Sequence, residues 1–433
     1  MDFKRKLGFL PTPSTPPVNV PISPQPSGPS RQPDAQAQLE AGGSAAASDI
    51  LEELRAKMAE ILDKPRYQEP PRAPADPTQT LLPFVREEAP SGPIYRRHRV
   101  LPPSHHVGRM PVDSARSSRT ELLALLALDP GLAGCDLSQA LFFDTETTGL
   151  GGAGAIAFLL GMAWFDDEGR LNVEQLLLRS PADEPAMLDV LTARLARTGL
   201  LVSYNGKAFD WPLLKTRYVM NRREIPRDLP HLDLLHIGRR LHRARLGACR
   251  LKTLESEVLG FERGVDVDGG DVPARYAHFL RTGDEEALSQ VVEHNAWDVV
   301  SMAALVGLYG EPFDLLHGDD LVGFAKTMKR AGALAVAERA ADRALELGAS
   351  AALRVRGDVH KARGDRARAL QDFESLADAV DDPALRLELA KLYEHFVKDP
   401  ARALQILEQG TGEAESDAEK RRQRLERKAK KPP

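Results

Sequence analysis

Proline is the residue that most restricts this chain. Nineteen of its 32 prolines lie in the first 103 of 433 residues, and each removes a backbone N–H and locks φ, so no long helix or central strand can run through them. The same stretch is biased towards Ser, Gln and Ala, which supply too little apolar surface to offset the entropy of ordering a backbone. Residues 1–92 are therefore expected to form an arm, disordered over 1–47. One interruption is expected: Ser48 caps a helix over 48–62 that places Ile50, Leu51, Leu54, Met58, Ile61 and Leu62 on one face, ready to dock in cis or on a partner.

The core must then come from the remaining residues, and a hydrophobic content of 42% is ample for one. From Leu141 to Arg179, short apolar runs alternate with turn signals: LFF, IAFLLGMAWF and LNVEQLLL read as strands, with DDEG at 166–169 as the hairpin turn between the last two. A helix, a fourth strand LLVSYNG and further helices follow, which predicts a mixed sheet flanked by helices over 93–318. After Asp319 only helical spacing remains. GDRARAL at 364–370 recurs as KDPARAL at 398–404, an offset of 34 residues, and a weaker copy begins near Gly332. That period, with Ala337, Ala369 and Ala403 at the tight contacts, predicts tetratricopeptide-like (TPR-like) helix pairs over 319–412, ahead of a basic charged tail at 413–433.

Several classes are excluded. The longest nearly unbroken apolar run, Ala153 to Phe165, is 13 residues, short of the roughly 20 that span a membrane. MDFKRKLGFLPTP lacks the apolar stretch of a signal peptide. Cys135 and Cys249 have no CxxC spacing, so a disulfide framework or cysteine zinc site is not expected. The expectation is a soluble cytoplasmic protein without a membrane partner.

Three acidic elements are candidates for chemistry. Asp144 and Glu146 end an apolar strand in FFDTETTGLGGAG, where alternate side chains share a face at the entrance to a glycine-rich turn. Asp210 follows Asn205 in YNGKAFDWPLL at a helix start, where a carboxylate by itself is more often a cap. His294 and Asp298 stand four apart in VVEHNAWDVVSM and share a helical face. GVDVDGGDV at 264–272 imitates the opening of a calcium loop, but the twelfth position from Asp266 is Ala277, so it reads as an ordinary acidic turn. His105, His106 and HLDLL likewise lack metal-ligand spacing.

Taken together, the three elements resemble the motifs of the DEDD exonucleases of the ribonuclease H-like fold: DxET at Asp144, Glu146 and Thr147, N-x-x-x-F-D at Asn205, Phe209 and Asp210, and a third motif with the spacing of the tyrosine subgroup. His294 occupies the tyrosine's place. The separations of 66 residues from Asp144 to Asp210 and 88 from there to Asp298 suit that fold. Within the superfamily, the resemblance is to bacterial YprB/MrfB-type proteins, in which such a domain precedes TPR repeats and which are implicated in DNA repair. It extends through GPIYRRHRV, LDLLHIGRRL and CRLKTLESEVLG, over about residues 93–410. The resemblance implies an α/β domain with a mixed five-stranded sheet, a metal-dependent 3′–5′ exonuclease activity, and two Mg²⁺ or Mn²⁺ ions. Asp144 would bridge the ions, Glu146 and Asp298 would complete the site of the attacking water, Asp210 would hold the second ion, and His294 would orient or deprotonate the water. DNA, single-stranded or at 3′ ends, is the expected substrate, and the repeats would recruit a repair helicase or other protein. A ribonuclease using the same site, and a non-catalytic scaffold that binds nucleic acid, are the alternatives.

Charge distribution points to the same class of partner. The chain carries a net charge of −5, yet Asn205 to Glu255 holds 12 Lys and Arg against 5 Asp and Glu. Arg222, Arg223, Arg239, Arg240, Arg243 and Arg245 are candidate phosphate contacts, with Thr147, Asn205 and Lys207 beside the acidic motifs. Tyr204 and Trp211 have the chemistry to stack on a base, although core packing is the commoner role.

Overall fold

The apolar runs between 141 and 179 become the centre of a sheet in a computed structural model of the chain, which describes residues 82–149, 154–264, 266–377 and 379–430. The expected disordered stretch 1–47 and the helix over 48–62 lie outside the described residues. In chain order the elements are β1 (Val85–Ala89), β2 (Gly92–Leu101), a short hairpin of β3 (His106–Val107) and β4 (Met110–Pro111), α1 (Ser114–Ser117), α2 (Thr120–Ala127), β5 (Ala140–Thr147), β6 (Ala157–Phe165), β7 (Leu171–Leu177), α3 (Glu184–Leu195), β8 (Leu200–Ser203), α4 (Asp210–Met220), β9 (His231–Asp233), α5 (Leu234–Leu246), α6 (Leu251–Leu254), α7 (Val272–Thr282) and α8 (Glu286–Gly310). A helical C-terminal region follows: α9 (Gly318–Arg330), α10 (Leu334–Glu346), α11 (Ala352–Arg363), α12 (Arg366–Ala377), α13 (Pro383–Leu392), α14 (Pro400–Glu408) and α15 (Glu415–Ala429).

The main sheet has seven strands in the order β1-β2-β7-β6-β5-β8-β9. β5 is antiparallel to β6 and parallel to β8, so the sheet is mixed as expected. Two strands exceed the expected five. The β1–β2 hairpin lies partly inside the stretch read as arm, and β2 pairs with β7 from Tyr95 to Leu101. Its strand character was hidden because the side chains that alternate across it are Arg and His, not apolar groups. These side chains are partnered in place: Arg96 faces Glu87 at 3.1 Å and Glu174 at 3.4 Å, and His98 meets Asn172 at 3.0 Å.

Apolar residues fill both faces of the sheet. Phe143, Phe158, Leu160, Met162 and Leu176 pack with α3 and α7 on one side, while Phe142, Ala163, Val173 and Val202 pack towards α8 on the other. α8 explains how one helix serves both core and site. From Val299 to Gly310 every residue is buried, whereas the preceding turns leave His294, Trp297 and Asp298 partly open. The helical region is built onto this domain through α9 and α5. A Cβ at Gly323 would stand 2.6 Å from the carbonyl oxygens of Arg240 and Leu241, so only glycine allows that approach. Beside it Arg245 forks onto Asp320 at 3.0 and 2.7 Å, and His242 Nδ1 lies 3.1 Å from the same carboxylate. Ala337, Ala369 and Ala403, the predicted tight-contact positions, are fully buried. Among the described residues no helix is long and apolar enough to cross a membrane.

Candidate active site

β5 carries Asp144 and Glu146 to the end of the sheet, α4 begins at Asp210, and α8 brings His294 and Asp298. Sixty-six and 88 residues apart in the chain, these groups act on one another directly. Asp144 is partly buried, and its desolvation together with the charges of Asp298, Asp210 and Glu146 holds its pKa well above the ordinary carboxylate value. Burial pushes Glu146 up to about 7, with Asp298 and Asp210 adding to the shift and His294 and Arg263 opposing it. Asp210 is pushed up to about 6 by burial, against the Thr145 hydroxyl that donates to it. Each carboxylate is thus held where its negative charge is unfavourable unless a proton or another cation joins it.

His294 completes the cluster. Its Nε2 lies 3.5 Å from Asp298 Oδ2 and 4.0 Å from Glu146 Oε1, and its Nδ1 lies 2.6 Å from Asp266 Oδ1. Arg263 also approaches Nδ1, at 3.1 Å, but the Asp266 contact is shorter and pairs a ring N–H with an anion. Nδ1 therefore carries the proton that Asp266 accepts, which leaves Nε2 facing the Asp298 and Glu146 carboxylates. Burial works against protonation of His294, but Asp298, Glu146 and Asp266 outweigh it and raise its pKa. Asp266 is itself held at about 2: burial would raise it, but His294, Lys252 and Arg263 prevail.

Asp266 sits in the acidic turn that sequence reasoning set aside. That turn does lack a calcium ligand set, but its first aspartate anchors the histidine of the third motif. Two more contributors were missed. The Arg263 side chain is buried, forks onto Glu255 at 2.6 Å through each of two nitrogens, and bonds Asp298. Asn295, fully buried, donates to Asp144 Oδ2 at 3.0 Å. Asn295 adjoins His294 in sequence, the one local signal available, whereas Arg263 and Asp266 come from a loop whose only visible pattern is an acidic turn.

The candidate nucleic-acid contacts divide. Arg222, Arg239 and Arg243 are exposed. Arg240 donates to the Leu126 carbonyl at 2.9 Å, Arg245 is committed to Asp320, and Arg223 bonds Asp189. Lys207 reaches towards Asp129 at 3.4 Å, beside Asn205 in a left-handed turn whose amides at 205 and 207 donate to Asp233. Thr147 donates to the Gly149 carbonyl at 2.8 Å. Trp211 is buried, and Tyr204 donates to the Cys249 carbonyl at 2.6 Å.

Sheet, strand-end carboxylates and crossing helix together define a ribonuclease H-superfamily domain, and the family model described as RNase_H superfamily matches residues 141–309. The wider chain is 34% identical over 307 residues to the uncharacterized protein YprB of Bacillus subtilis (strain 168), an alignment covering 67% of this chain and 74% of that one, and the chain belongs to the same family. Among solved structures, the family B DNA polymerase of the hyperthermophilic archaeon Pyrobaculum calidifontis aligns with 52% of this chain and 29% of its own, at 15% identity and a TM-score of 0.32.

Proposed function

We propose that this protein is a metal-dependent 3′–5′ exonuclease that acts on DNA. The observation that carries the reading is the set of four carboxylates from β5, α4 and α8 whose charges oppose one another in a partly buried site beside an anchored histidine. Such a site is stable in its charged form only with added positive charge.

The donors suit a hard divalent ion: they are carboxylate oxygens with excess negative charge, and Arg263 is the cation already drawn onto Asp298. Among the described residues no three such groups close round one point as a finished cage. Asp144, Glu146, Asp210 and Asp298 would hold the ions, Mg²⁺ or Mn²⁺, two by resemblance to the DEDD exonucleases. Bound there, the ions would supply charge neutralisation at the phosphate and acidification of a water. The chain's own groups do the rest. Asp266 fixes the tautomer of His294, and Nε2 takes or orients the water proton. Exposed Arg239 and Arg243, with Lys207, Asn205 and Thr147, hold the phosphate backbone. The 3′–5′ polarity comes from the resemblance to the DEDD exonucleases alone.

In this reading the helical C-terminal region is a TPR-like array that recruits a protein partner, a repair helicase being the resemblance's candidate. Its support is the burial of alanines at the repeat spacing. The test of the whole reading is purified protein with end-labelled single-stranded DNA, duplex DNA and RNA, with Mg²⁺, Mn²⁺ or chelator. Metal-dependent mononucleotide release from the 3′ end of DNA is expected. Preferential cutting of RNA would favour a ribonuclease, and no hydrolysis with retained binding would favour a scaffold.

A further inference from the structure

Four residues from four adjacent strands stand in one row across the sheet. Asp144 of β5 pairs with Gly161 of β6, Gly161 with Gln175 of β7, and Gln175 with Arg97 of β2. Paired residues point to the same face, so the row presents a carboxylate, a bare glycine, an amide and a guanidinium beneath α8. Asn295 descends from α8 into the gap above the glycine. A Cβ on Gly161 would lie 2.3 Å from Asn295 Oδ1, so the absent side chain is what makes room for the amide.

The hydrogen bonds along this row run one way. Arg97 donates to Gln175 Oε1 at 3.2 Å, Gln175 Nε2 donates to Asn295 Oδ1 at 2.9 Å, and Asn295 Nδ2 donates to Asp144 Oδ2 at 3.0 Å. Amide orientations are set by the network rather than seen directly, and here one contact sets them all. Gln175 Nε2 also lies 2.7 Å from the Val292 carbonyl, which only accepts, so that atom must be the nitrogen. Asn295 must then turn its oxygen to Gln175 and its N–H groups to Asp144. Gln175 and Asn295 are 1% and 0% exposed, so neither has water as an alternative partner. At its far end Arg97 is held by Glu293 at 2.7 Å, one residue before His294.

We infer that Gln175 and Asn295 are positioning residues for Asp144: a dry, one-directional chain of donors, anchored on Arg97 and given its space by Gly161, fixes one oxygen of that carboxylate and leaves the other for a cation. The inference rests on the metal-dependent reading of the site. A polar side chain in the middle of a fully buried strand costs stability unless it is completely bonded, and here the bonded chain ends on the residue where a cation is needed.

The test measures Mn²⁺ binding by calorimetry, without substrate, alongside kcat, KM and melting temperature. Asn295→Ala should weaken Mn²⁺ binding by roughly 10- to 100-fold, the range for partners that orient metal ligands, and lower kcat with KM for DNA unchanged. Gln175→Met, similar in size but without the amide, should change both in the same direction by less. Gly161→Ala, whose added methyl group meets the Asn295 amide first, should reproduce the Asn295 effect by displacing that amide, and Gln175→Asn should not restore function because it is too short to bridge. Should Gly161→Ala fail to fold, the Gln175 variants decide. Wild-type Mn²⁺ affinity and kcat in folded Asn295→Ala and Gln175→Met would overturn the inference alone. A wild-type protein that neither binds Mn²⁺ nor cuts DNA would overturn the nuclease reading and this inference with it.

Discussion

Glu146 and Glu394 are the same residue type, both largely withdrawn from solvent, and their carboxylates are pushed in opposite directions. At the strand end, burial takes Glu146 up to about 7, with Asp298 and Asp210 beside it. In the helical region burial also acts against Glu394, but Arg424 at 2.7 and 2.9 Å and Lys428 at 2.7 Å pull it down to about 2. The difference lies in who supplies the positive charge. Around Glu394 the chain brings its own cations from α15, so the carboxylate ties the last helix down. Around Glu146 the chain has gathered more acids than bases, and Arg263 and His294 are the cations that answer them most strongly among the described residues. The acid compensated from within ties the fold together, whereas in the proposed reading the acid cluster left short of cations takes its positive charge from outside.

The most severe way to break this contrast is to remove a ligand. Asp144→Ala or Asp298→Ala should reduce DNA hydrolysis to background while leaving folding and DNA binding nearly unchanged, because the exposed arginines of α5 are untouched. Glu394→Ala should leave hydrolysis at the wild-type rate. Gel assays on end-labelled DNA and filter binding check this. Equal hydrolysis by the Asp144 variant and the wild type would mean that the strand-end acids are not the reactive site.

A second test sharpens the contrast at His294, where the chain departs from the tyrosine of the subgroup it resembles. His294→Ala should lose about 10²- to 10⁴-fold in turnover, the usual scale for general acid–base help, with little change in affinity. His294→Tyr should recover part of this and His294→Leu none. The base must be neutral, and burial is outweighed by Asp298, Glu146 and Asp266 in raising its pKa above 6.5. The wild-type rate should therefore fall as the pH drops through that raised value. Asp266→Ala removes one source of the rise and should move the acid limb of the profile to lower pH. An acid limb that stays in place when Asp266 is replaced would separate the anchor from the base.

What could be read in advance follows from where the chemistry lies along the chain. The central strands and the four carboxylates were legible because each is local: an apolar run, a DxE at its end, a helix start, an i, i+4 pair. The β1–β2 hairpin was not, since Arg96 and His98 owe their places to Glu174 and Asn172 on β7, more than 70 residues away. Asp266 was dismissed for what it lacked as a calcium ligand, because its role depends on an imidazole 28 residues further on. Nor could charge density distinguish Arg243, exposed, from Arg245, which is bound to Asp320 at the junction with α9. Composition counts the cations but not the partners that occupy them.

The smallest effect, and the most direct comparison of the two glutamates, is the pH dependence of stability without metal. Glu146 and Asp210 have folded pKa values of about 7 and about 6, raised from 4.5 and 3.8. Below about pH 3 they are protonated in both states and cost nothing. Between there and pH 7 the unfolded chain ionises first, so stability falls as pH rises. Glu394, lowered to about 2 from 4.5, works in the opposite sense: its contribution is present above pH 4.5 and is lost as pH falls towards 2. Melting temperatures of chelator-treated protein should therefore drop between pH 5 and 8, less so in Glu146→Gln, and Mg²⁺ should restore the loss only where the acids remain. Glu394→Gln should instead lower the stability across that whole window by on the order of 1 kcal/mol, read as a lower melting temperature, since its basic partners are partly exposed. Its slope with pH should match the wild type. If Glu146→Gln keeps the full wild-type slope and ignores Mg²⁺, the strand-end acids are already compensated, and the distinction drawn between the two glutamates fails.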